Sequence, residues 1–474
     1  MKTEVAIVGA GPAGLAAAAA AGEAGCHVTL IDSYARPGGQ YYKQIPQELR
    51  ARRAHALHVD FAKAAELMAL IEANPHIQVL SGATVWTAQR APSSAVTLSL
   101  DTAEGYRELQ TDYVILALGA YDRVLPFPGW DLPGVMTAGA AQTLTKSQRI
   151  LPGKRVVLSG SGPFLLPVAV GLAEGGAQVV GVFEATTPLQ WSRYAWQVWR
   201  HWDKLREGAS YLRRLRAQRV PLSFGRAVIA AHGDERVQQV TVARVHADWS
   251  PVAGSEEVLD VDAVCVGYGF LPSLELPTLL GCATRYDPLQ ATFVVEHDAS
   301  MQSSQPGIYV AGEITGIGGS AVALAQGALA GLAVAEQAGR LSKDEIREKL
   351  TCYRRTVDHS QHFAAVLNQL FALRPGWMRW LRPETLVCRC EEVTYQQIET
   401  AVKSNNAGDI KTVKSLTRCG MGLCQGRVCG HTVAALTAAW TGRNPETLGS
   451  LNNRPIAKPI QLGAACEAET LRLS

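Results

Sequence analysis

The fold is decided by a stretch near the start of the chain, Val5-Ala-Ile-Val-Gly9-Ala-Gly11-Pro-Ala-Gly14. The apolar run Glu4–Val8 predicts a short strand, and the glycines after it form a G-x-G-x-x-G pattern that opens an alanine-rich helix. Gly9 permits a tight turn, Gly11 lets a pyrophosphate approach the backbone, and Gly14 lets the helix pack close to the strand. The phosphates would lie at the helix N-terminus, where free N–H groups and the helix dipole favour negative charge.

A carboxylate follows the helix at the position that a dinucleotide site requires. His27–Ile31 predicts a second strand, and this strand ends at Asp32. The carboxylate is placed to accept hydrogen bonds from an adenosine ribose. A glycine-rich turn alone is a weak signal, and a purely structural turn is the alternative. Strand, fingerprint, helix, strand and acid in this order favour the nucleotide site.

Three later segments favour FAD over NAD, namely Arg36-Pro-Gly-Gly-Gln40, Tyr113-Val-Ile-Leu-Ala-Leu-Gly-Ala120 and Gly307-Ile-Tyr-Val-Ala-Gly-Glu313. They resemble motifs of the glutathione-reductase-like flavoproteins, where the last segment contacts the ribitol and phosphates of FAD. The family usually carries Asp at the final position, whereas this chain carries Glu313 and keeps the acceptor on a longer side chain. The resemblance covers residues 1–340 and implies an α/β fold with two dinucleotide-binding domains. It implies FAD bound at Gly9, Gly11, Pro12, Ala13, Gly14, Asp32, Gly39, Gln40, Gly119, Gly312 and Glu313.

A second nucleotide-binding pattern begins at Lys154–Ser159, a predicted strand followed by Gly160-Ser-Gly162-Pro-Phe-Leu165. The next predicted strand ends at Glu184, whose carboxylate would favour a ribose without a 2′-phosphate. In the superfamily this inserted domain binds a nicotinamide dinucleotide. Leu165 replaces the third glycine and is expected to crowd the phosphate site. NAD(P)H, another adenine nucleotide such as ATP, and a domain without ligand all remain open.

The disulfide-reductase reaction of this superfamily is not expected. It needs two cysteines beside the flavin, either after the first helix or as C-x-x-C in the second domain. Residues 36–60 contain no cysteine, and the chain has no C-x-x-C. No catalytic residue is assigned, because no nucleophile–base or paired-carboxylate pattern stands out.

Four cysteines near the C-terminus form a metal-binding pattern. Cys388 and Cys390 make a C-x-C pair, and Cys424 and Cys429 make a C-x4-C pair. Four thiolates suit tetrahedral zinc or a [2Fe–2S] cluster, and the spacing alone does not decide between them. The pattern resembles the helical [2Fe–2S] domain of bacterioferritin-associated ferredoxin. Cys419 and Cys424 have the same C-x4-C spacing, so the spacing leaves Cys419 and Cys429 open as the fourth ligand. The resemblance implies Cys388, Cys390, Cys424 and Cys429 as ligands and leaves Cys419 dispensable.

Length favours a globular chain of about two to four domains. The 474 residues are 47% apolar and 18% charged, which allows a sizeable core. The formal charge of +3 gives no reason to expect nucleic acid as a partner, and membrane contact is expected to be peripheral at most. No secretory pattern precedes the first strand, so a cytoplasmic location is expected. The predicted domains are a first part of the FAD domain at 1–122, an inserted Rossmann-type domain at 123–259, a second FAD part at 260–340, a helical linker at 341–383 and the [2Fe–2S] domain at 384–474.

Nearly the whole chain resembles the α (A) subunits of heteromeric bacterial amine and imino-acid dehydrogenases, the group of opine oxidases, D-hydroxyproline and proline dehydrogenases and hydrogen cyanide synthase. The motifs are Gly-Pro-Ala-Gly-Leu-Ala-Ala at 11–17, Gly-Gly-Gln-Tyr-Tyr at 38–42, and the tracts Cys-Arg-Cys-Glu and Thr-Arg-Cys-Gly-Met-Gly-Leu-Cys-Gln-Gly-Arg. The resemblance implies an electron-transfer subunit beside a catalytic flavoprotein β subunit. Further expectations are a small ferredoxin-like γ subunit, FMN at a subunit interface and a downstream electron acceptor. The alternatives are a self-sufficient NAD(P)H-dependent reductase and a zinc-stabilised nucleotide-binding scaffold.

Overall fold

A computed structural model of the chain describes residues 1–46, 61–91, 95–192, 194–198, 202–451, 456–463 and 465–466. The first unit is built on a seven-stranded sheet. From one edge, its strands are Ile77–Ser81, Val28–Asp32, Lys2–Val8, Gly105–Leu116, Val96–Thr102 and Thr84–Arg90, with Ile308–Val310 paired to the end of Gly105–Leu116. The strands around Lys2–Val8 pair in parallel, whereas the last two in the row pair antiparallel. Parallel pairing brings the carboxyl ends of the central strands to one edge, where a nucleotide is expected.

Two helices lie against each other beside this sheet. Pro12–Glu23 follows the glycine turn, and Ser320–Gln337 packs across it. A Cβ on Gly327 would lie 2.0 Å from the carbonyl oxygen of Ala13, so the two backbones are in contact. Glycine and alanine allow this approach, which fixes the segment around Gly312 above the first glycine turn.

The second unit has a five-stranded parallel sheet. Its strands are, in order, Leu222–Phe224, Gln178–Glu184, Arg155–Gly160, Ala263–Gly267 and Val135–Thr137. Its helices are Ala138–Thr143, the π-helix Leu144–Gln148, Leu165–Glu174, Pro188–Ser192, Ala195–Val198 and Trp202–Ala217. An antiparallel sheet of Arg226–His232, Gln239–Arg244 and Glu257–Asp260 belongs to the same unit. The strand Ala263–Gly267 belongs to the five-stranded parallel sheet. The second unit therefore continues past residue 259, where the sequence analysis placed the end of the inserted domain.

Short elements connect the two units and complete the first. Ala120–Asp122 pairs with Phe270–Pro272, so the chain crosses between the units twice at one place. The remaining short elements are Glu275–Leu279, the hairpin Thr284–Asp287 with Thr292–Val295, the 3-10 turn Gly312–Thr315 and the helix Phe61–Ala73. No helix in the described ranges is both long and apolar enough to cross a membrane.

The predicted linker contains the helix Lys343–Leu370 and the 3-10 helix Pro375–Trp380. Ser342 begins the long helix with a capping box, in which its hydroxyl accepts from the N–H of Glu345 and the Glu345 carboxylate accepts from Ser342. Val357 packs in the core of the first unit, whereas Trp377 packs in a different core. The linker therefore crosses from one core to the other.

The C-terminal domain is a small helical domain, as predicted. Its strands are Leu386–Cys388 and Val393–Thr394, and its helices are Tyr395–Lys403, Ile410–Thr417 and Gly430–Thr441, followed by the 3-10 turn Pro445–Leu448. Its apolar residues form one continuous core with those of the second unit. Trp130 crosses this boundary and donates a hydrogen bond from Nε1 to the Leu386 carbonyl at 2.6 Å. The domain is therefore packed rigidly against the second unit.

Candidate cofactor sites

A cavity of about 1550 Å³ opens at the carboxyl edge of the first sheet and extends towards the second unit. Ten of the eleven residues predicted for FAD line it. They are Gly9, Gly11, Pro12, Ala13, Asp32, Gly39, Gln40, Gly119, Gly312 and Glu313. Gly14 lies beneath the wall, where an added Cβ would be 1.7 Å from the Gly9 carbonyl oxygen. Gly14 thus has the predicted role of close helix packing, without facing the cavity.

The glycine turn leaves free space at the head of the helix Pro12–Glu23. Gly9 has φ +102°, a conformation that L side chains rarely adopt, and its Cβ would lie 2.3 Å from the Ala117 carbonyl oxygen. A Cβ on Gly11, by contrast, would meet only the Cα of Gly39, at 3.9 Å. The protein itself therefore leaves room for a Cβ at Gly11. The space that such a side chain would fill fits a pyrophosphate bound by helix N–H groups.

Asp32 also holds the glycine turn in place. Its carboxylate accepts hydrogen bonds from the N–H groups of Ala10, at 2.6 Å, and Tyr34, at 2.8 Å. Burial raises the pKa of the carboxyl group above its usual range. These bonds leave lone pairs on the two oxygens for a ribose hydroxyl, so the predicted role stays compatible with the geometry.

Glu313 presents an unpaired oxygen at the cavity wall. Its Oε1 accepts from the N–H of Gly319 at 2.9 Å, while its Oε2 is buried and has no hydrogen-bond partner among the described residues. Burial raises the pKa of this carboxyl group to about 7. A buried acceptor without a partner is costly, and a hydroxyl of a bound ribitol would satisfy it. The residues present therefore fit FAD.

Five cysteines meet at one place in the C-terminal domain. The sulfur atoms of Cys388, Cys419 and Cys429 all lie within 4.8 Å of one another, and all three residues are buried. Cys390 lies beside Cys424 at the exposed side and is within hydrogen-bond reach of it. The predicted ligands are thus divided between a buried group and an adjacent pair, and Cys419 joins the buried group. The selection of four ligands out of five stays a prediction.

The surroundings of Cys388 favour a thiolate. The thiols of Cys419 and Cys429 and the backbone N–H groups of Gly420 and Glu391 hydrogen-bond to its sulfur and hold its pKa well below the usual range. N–H donors of this kind also stabilise the anionic sulfurs of an iron–sulfur cluster. The donor set therefore fits a cluster bound by thiolates.

The cysteine loop and the large cavity share a wall at Arg427, which sequence reasoning missed. This residue lies between Cys424 and Cys429 and lines the cavity. Its Nε is 2.6 Å from the Oε1 of Glu275, and its Nη1 donates to the Cys424 carbonyl at 3.1 Å. Its place inside the C-x4-C pair was the only sequence signal available.

Glu184, the acid at the end of the strand after the second glycine turn, hydrogen-bonds to that turn. Glu184 is buried, and its carboxylate accepts from the N–H of Gly162 at 2.9 Å and from the N–H and hydroxyl of Thr186 at 2.9 and 2.8 Å. Leu165 packs in the core of the second unit, where a Cβ on Gly267 would lie 3.1 Å from it. A glycine on the neighbouring strand thus makes room for the leucine that replaces the third glycine of the turn.

Two family profiles match the chain. The pyridine nucleotide-disulphide oxidoreductase family matches residues 3–339, and the BFD-like [2Fe-2S] binding domain matches residues 386–439. These matches confirm the predicted fold and the predicted cofactors, FAD and a [2Fe–2S] cluster.

Several enzyme subunits are similar to this chain over nearly its whole length. The A subunit of opine oxidase from Rhizobium meliloti is 32% identical over 97% of this chain and 86% of its own. The HcnB subunit of hydrogen cyanide synthase from Pseudomonas aeruginosa is 32% identical over 98% of each chain. The alpha subunit of sarcosine oxidase from Corynebacterium sp. is 26% identical over 98% of this chain and 45% of its own. Among solved structures, L-proline dehydrogenase from P. horikoshii superimposes with a TM-score of 0.70 at 19% identity over 98% of this chain and 79% of that one, which shows a shared fold.

Proposed function

The chain belongs to the pyridine nucleotide-disulphide oxidoreductase family, in the group that includes the A subunit of opine oxidase and HcnB, and on this basis we propose that it is the electron-transfer subunit of a heteromeric dehydrogenase. The substrate of the complex is an amine, an imino acid or an opine with an oxidisable C–N bond, of the D-hydroxyproline type. Its oxidation takes place mainly in a catalytic flavoprotein β subunit. This chain accepts the electrons and passes them to a downstream acceptor.

One observation carries the proposal: the FAD cavity and the cysteine site share a wall. Arg427 belongs to the cysteine loop and Glu275 to the first unit, and their side chains meet at the cavity. A flavin can accept two electrons together and release them one at a time, and a [2Fe–2S] cluster carries one. Two such centres in one rigid chain fit the conversion of a two-electron oxidation into single-electron steps.

The names of the relatives support a partner protein. The A subunit of opine oxidase, HcnB and the alpha subunit of sarcosine oxidase are each named as one component of a larger enzyme. Opines and sarcosine are C–N compounds, which favours the same donor class here. All ten cysteines are free thiols in the structure, as suits a complex that works in the reducing cytoplasm.

Neither alternative reaction of the fold gains support. Among the described residues that line the FAD cavity there is no cysteine, so a disulfide reductase site has no nucleophile there. The self-sufficient NAD(P)H reductase is disfavoured because Leu165 replaces the small third residue of the second glycine turn. The zinc-scaffold alternative predicts stoichiometric zinc and no iron, which metal analysis distinguishes.

The outer side of the cysteine site is suited to electron transfer to another protein. Leu423 is 82% exposed and Met421 42% exposed, and both lie in the loop that carries Cys424. Cys390 is exposed beside them. Apolar side chains around an accessible metal centre are typical of a surface that another protein covers.

Co-expression with the neighbouring genes tests the proposal. The tagged chain should co-purify with an untagged flavoprotein, and anaerobic D-amino or imino acids should reduce the flavin and the cluster of the complex. The isolated chain should bind both cofactors and stay oxidised with the same substrates. Full reduction of the isolated chain by substrate would show that no β subunit is required.

A further inference from the structure

A segment near the C-terminus returns to the FAD cavity and is fixed there. Ile456 and Ile460 pack against the side chains of Trp86 and Tyr106 in the first unit. Between them, Ala457 is buried and donates its N–H to the Trp86 carbonyl at 2.7 Å. This segment therefore forms a fixed part of the cavity wall beside the strand Thr84–Arg90.

The next residue, Lys458, places a cation in the cavity. It lines the cavity beside the strand Thr84–Arg90, and Ala83, directly before this strand, donates its N–H to the Asp32 carbonyl at 2.9 Å. Lys458 therefore lies on the Asp32 side of the cavity, where the adenosine ribose is expected. Within the described residues no hydrogen bond or ion pair joins Lys458 to another side chain. The ammonium donors of Lys458 are thus free for a ligand.

Arg427 holds this segment from the opposite side. Its Nη2 donates to the Ala457 carbonyl, its Nη1 donates to the Cys424 carbonyl, and its Nε contacts the Glu275 carboxylate. One guanidinium therefore ties together the cysteine loop, the cavity wall and the residue before Lys458. Arginine suits this role because its planar group donates in several fixed directions.

We propose that Lys458, positioned by Arg427, binds the adenosine-diphosphate half of FAD, so that the C-terminal domain completes the cofactor site. The glycine turn offers neutral N–H donors, whereas the diphosphate carries negative charge that an ammonium group matches through a charge-assisted contact. Arg427 lies between two of the predicted cluster ligands, Cys424 and Cys429. The inference rests on FAD occupying the cavity and needs neither substrate nor partner.

The test titrates FAD into flavin-free protein and follows the quenching of flavin fluorescence. Lys458→Met should weaken FAD binding by about tenfold, the loss expected for one charge-assisted contact. ADP, used as a competitor, should weaken by the same factor. The tenfold difference between wild type and variant should shrink as salt is added, because an exposed ion pair is screened. Lys458→Arg should restore most of the affinity.

Lys411→Met is the matched control, because Lys411 is an exposed lysine of the same domain that does not line the cavity. It should bind FAD as the wild type does. Arg427→Met should lose FAD affinity while keeping its iron, which separates positioning from loss of the fold. Unchanged FAD and ADP affinities in Lys458→Met, or an equal loss in Lys411→Met, would overturn the inference. Since no substrate is present, failure here would leave the proposed electron-transfer function untouched.

Discussion

Gly11 and Gly39 face each other at the first glycine turn, where a Cβ on Gly39 would lie 2.8 Å from the Cα of Gly11. A substitution at Gly11 is sterically easier, because a Cβ there would have only one neighbour within 4 Å. The two positions thus differ in what a substitution tests. At Gly39, with φ +59°, it strains the protein, whereas at Gly11 it blocks only the ligand.

Gly11→Val should therefore fold and lose FAD. The side chain would occupy the space of the pyrophosphate and lower FAD affinity by at least about tenfold. Flavin content by absorbance, with thermal unfolding as the check of the fold, measures this. Gly208→Ala, in the exposed helix Trp202–Ala217 with open space around it, is the control and should keep its flavin. A folded Gly11→Val variant with full flavin content would show that the site assignment is wrong.

Serine variants of the five clustered cysteines should identify the cluster ligands. We expect iron to be lost in the variants of Cys388, Cys390, Cys424 and Cys429, and two irons per chain to remain in Cys419→Ser. Each ligand thiolate neutralises iron charge, so losing one exposes the cluster. Iron analysis and the paramagnetic signal of the reduced protein provide the measurements.

The result for Cys419 decides between two arrangements, because its sulfur lies in the buried group with Cys388 and Cys429. Loss of iron in Cys419→Ser with retention in Cys424→Ser or Cys429→Ser would change the ligand set. Cys352→Ser, an exposed cysteine in the long linker helix, should behave as wild type. Zinc in place of iron after anaerobic purification would contradict the electron-transfer function of the domain.

NADH should reduce the flavin of the isolated chain slowly or not at all. Leu165 stands where the dinucleotide fingerprint has a small residue, which lets the helix pack close to the strand and the phosphates bind at its N-terminus. Stopped-flow absorbance under anaerobic conditions measures the rate. Bleaching at about 10 per second, an ordinary turnover rate, would favour the reductase alternative instead.

The stability of the flavin-free protein should depend on Glu313. Burial raises the pKa of this carboxyl group in the folded state to about 7, above its value in the unfolded chain. The folded protein then binds more protons than the unfolded chain, so the free energy of unfolding should fall as pH rises from 5 to 7. Glu313→Gln should flatten this dependence in urea unfolding at several pH values. An equal slope in both proteins would rule out Glu313 as its source.

Local sequence patterns predicted most of the first site. Gly9, Gly11 and Asp32 belong to one strand–turn–helix–strand unit, and the order of these elements in the sequence indicates a nucleotide. Contacts between distant segments leave no such pattern. Neither Arg427 with Glu275 nor Ala457 with Trp86 could be predicted, because each joins residues far apart in the chain.

The arrangement of the cysteines could also be predicted only in part from the sequence. The C-x-C and C-x4-C spacings indicated a thiolate site, whereas the approach of Cys419 to Cys388 depends on how the helix Ile410–Thr417 ends. That helix stops at Arg418, which has φ +66° and turns the chain so that Cys419 points inwards. Such a left-handed residue is uncommon outside glycine and has no sequence signal here.

The apolar core that joins the second unit to the C-terminal domain makes it difficult to separate the two by truncation. Trp130 and Trp380 are buried in it, and Trp380 donates to the Trp249 carbonyl at 3.0 Å. We expect a chain that stops before residue 384 to expose that core to solvent, where a large apolar surface favours aggregation. Point variants of the cysteines are therefore better suited than truncation to separating the two redox centres.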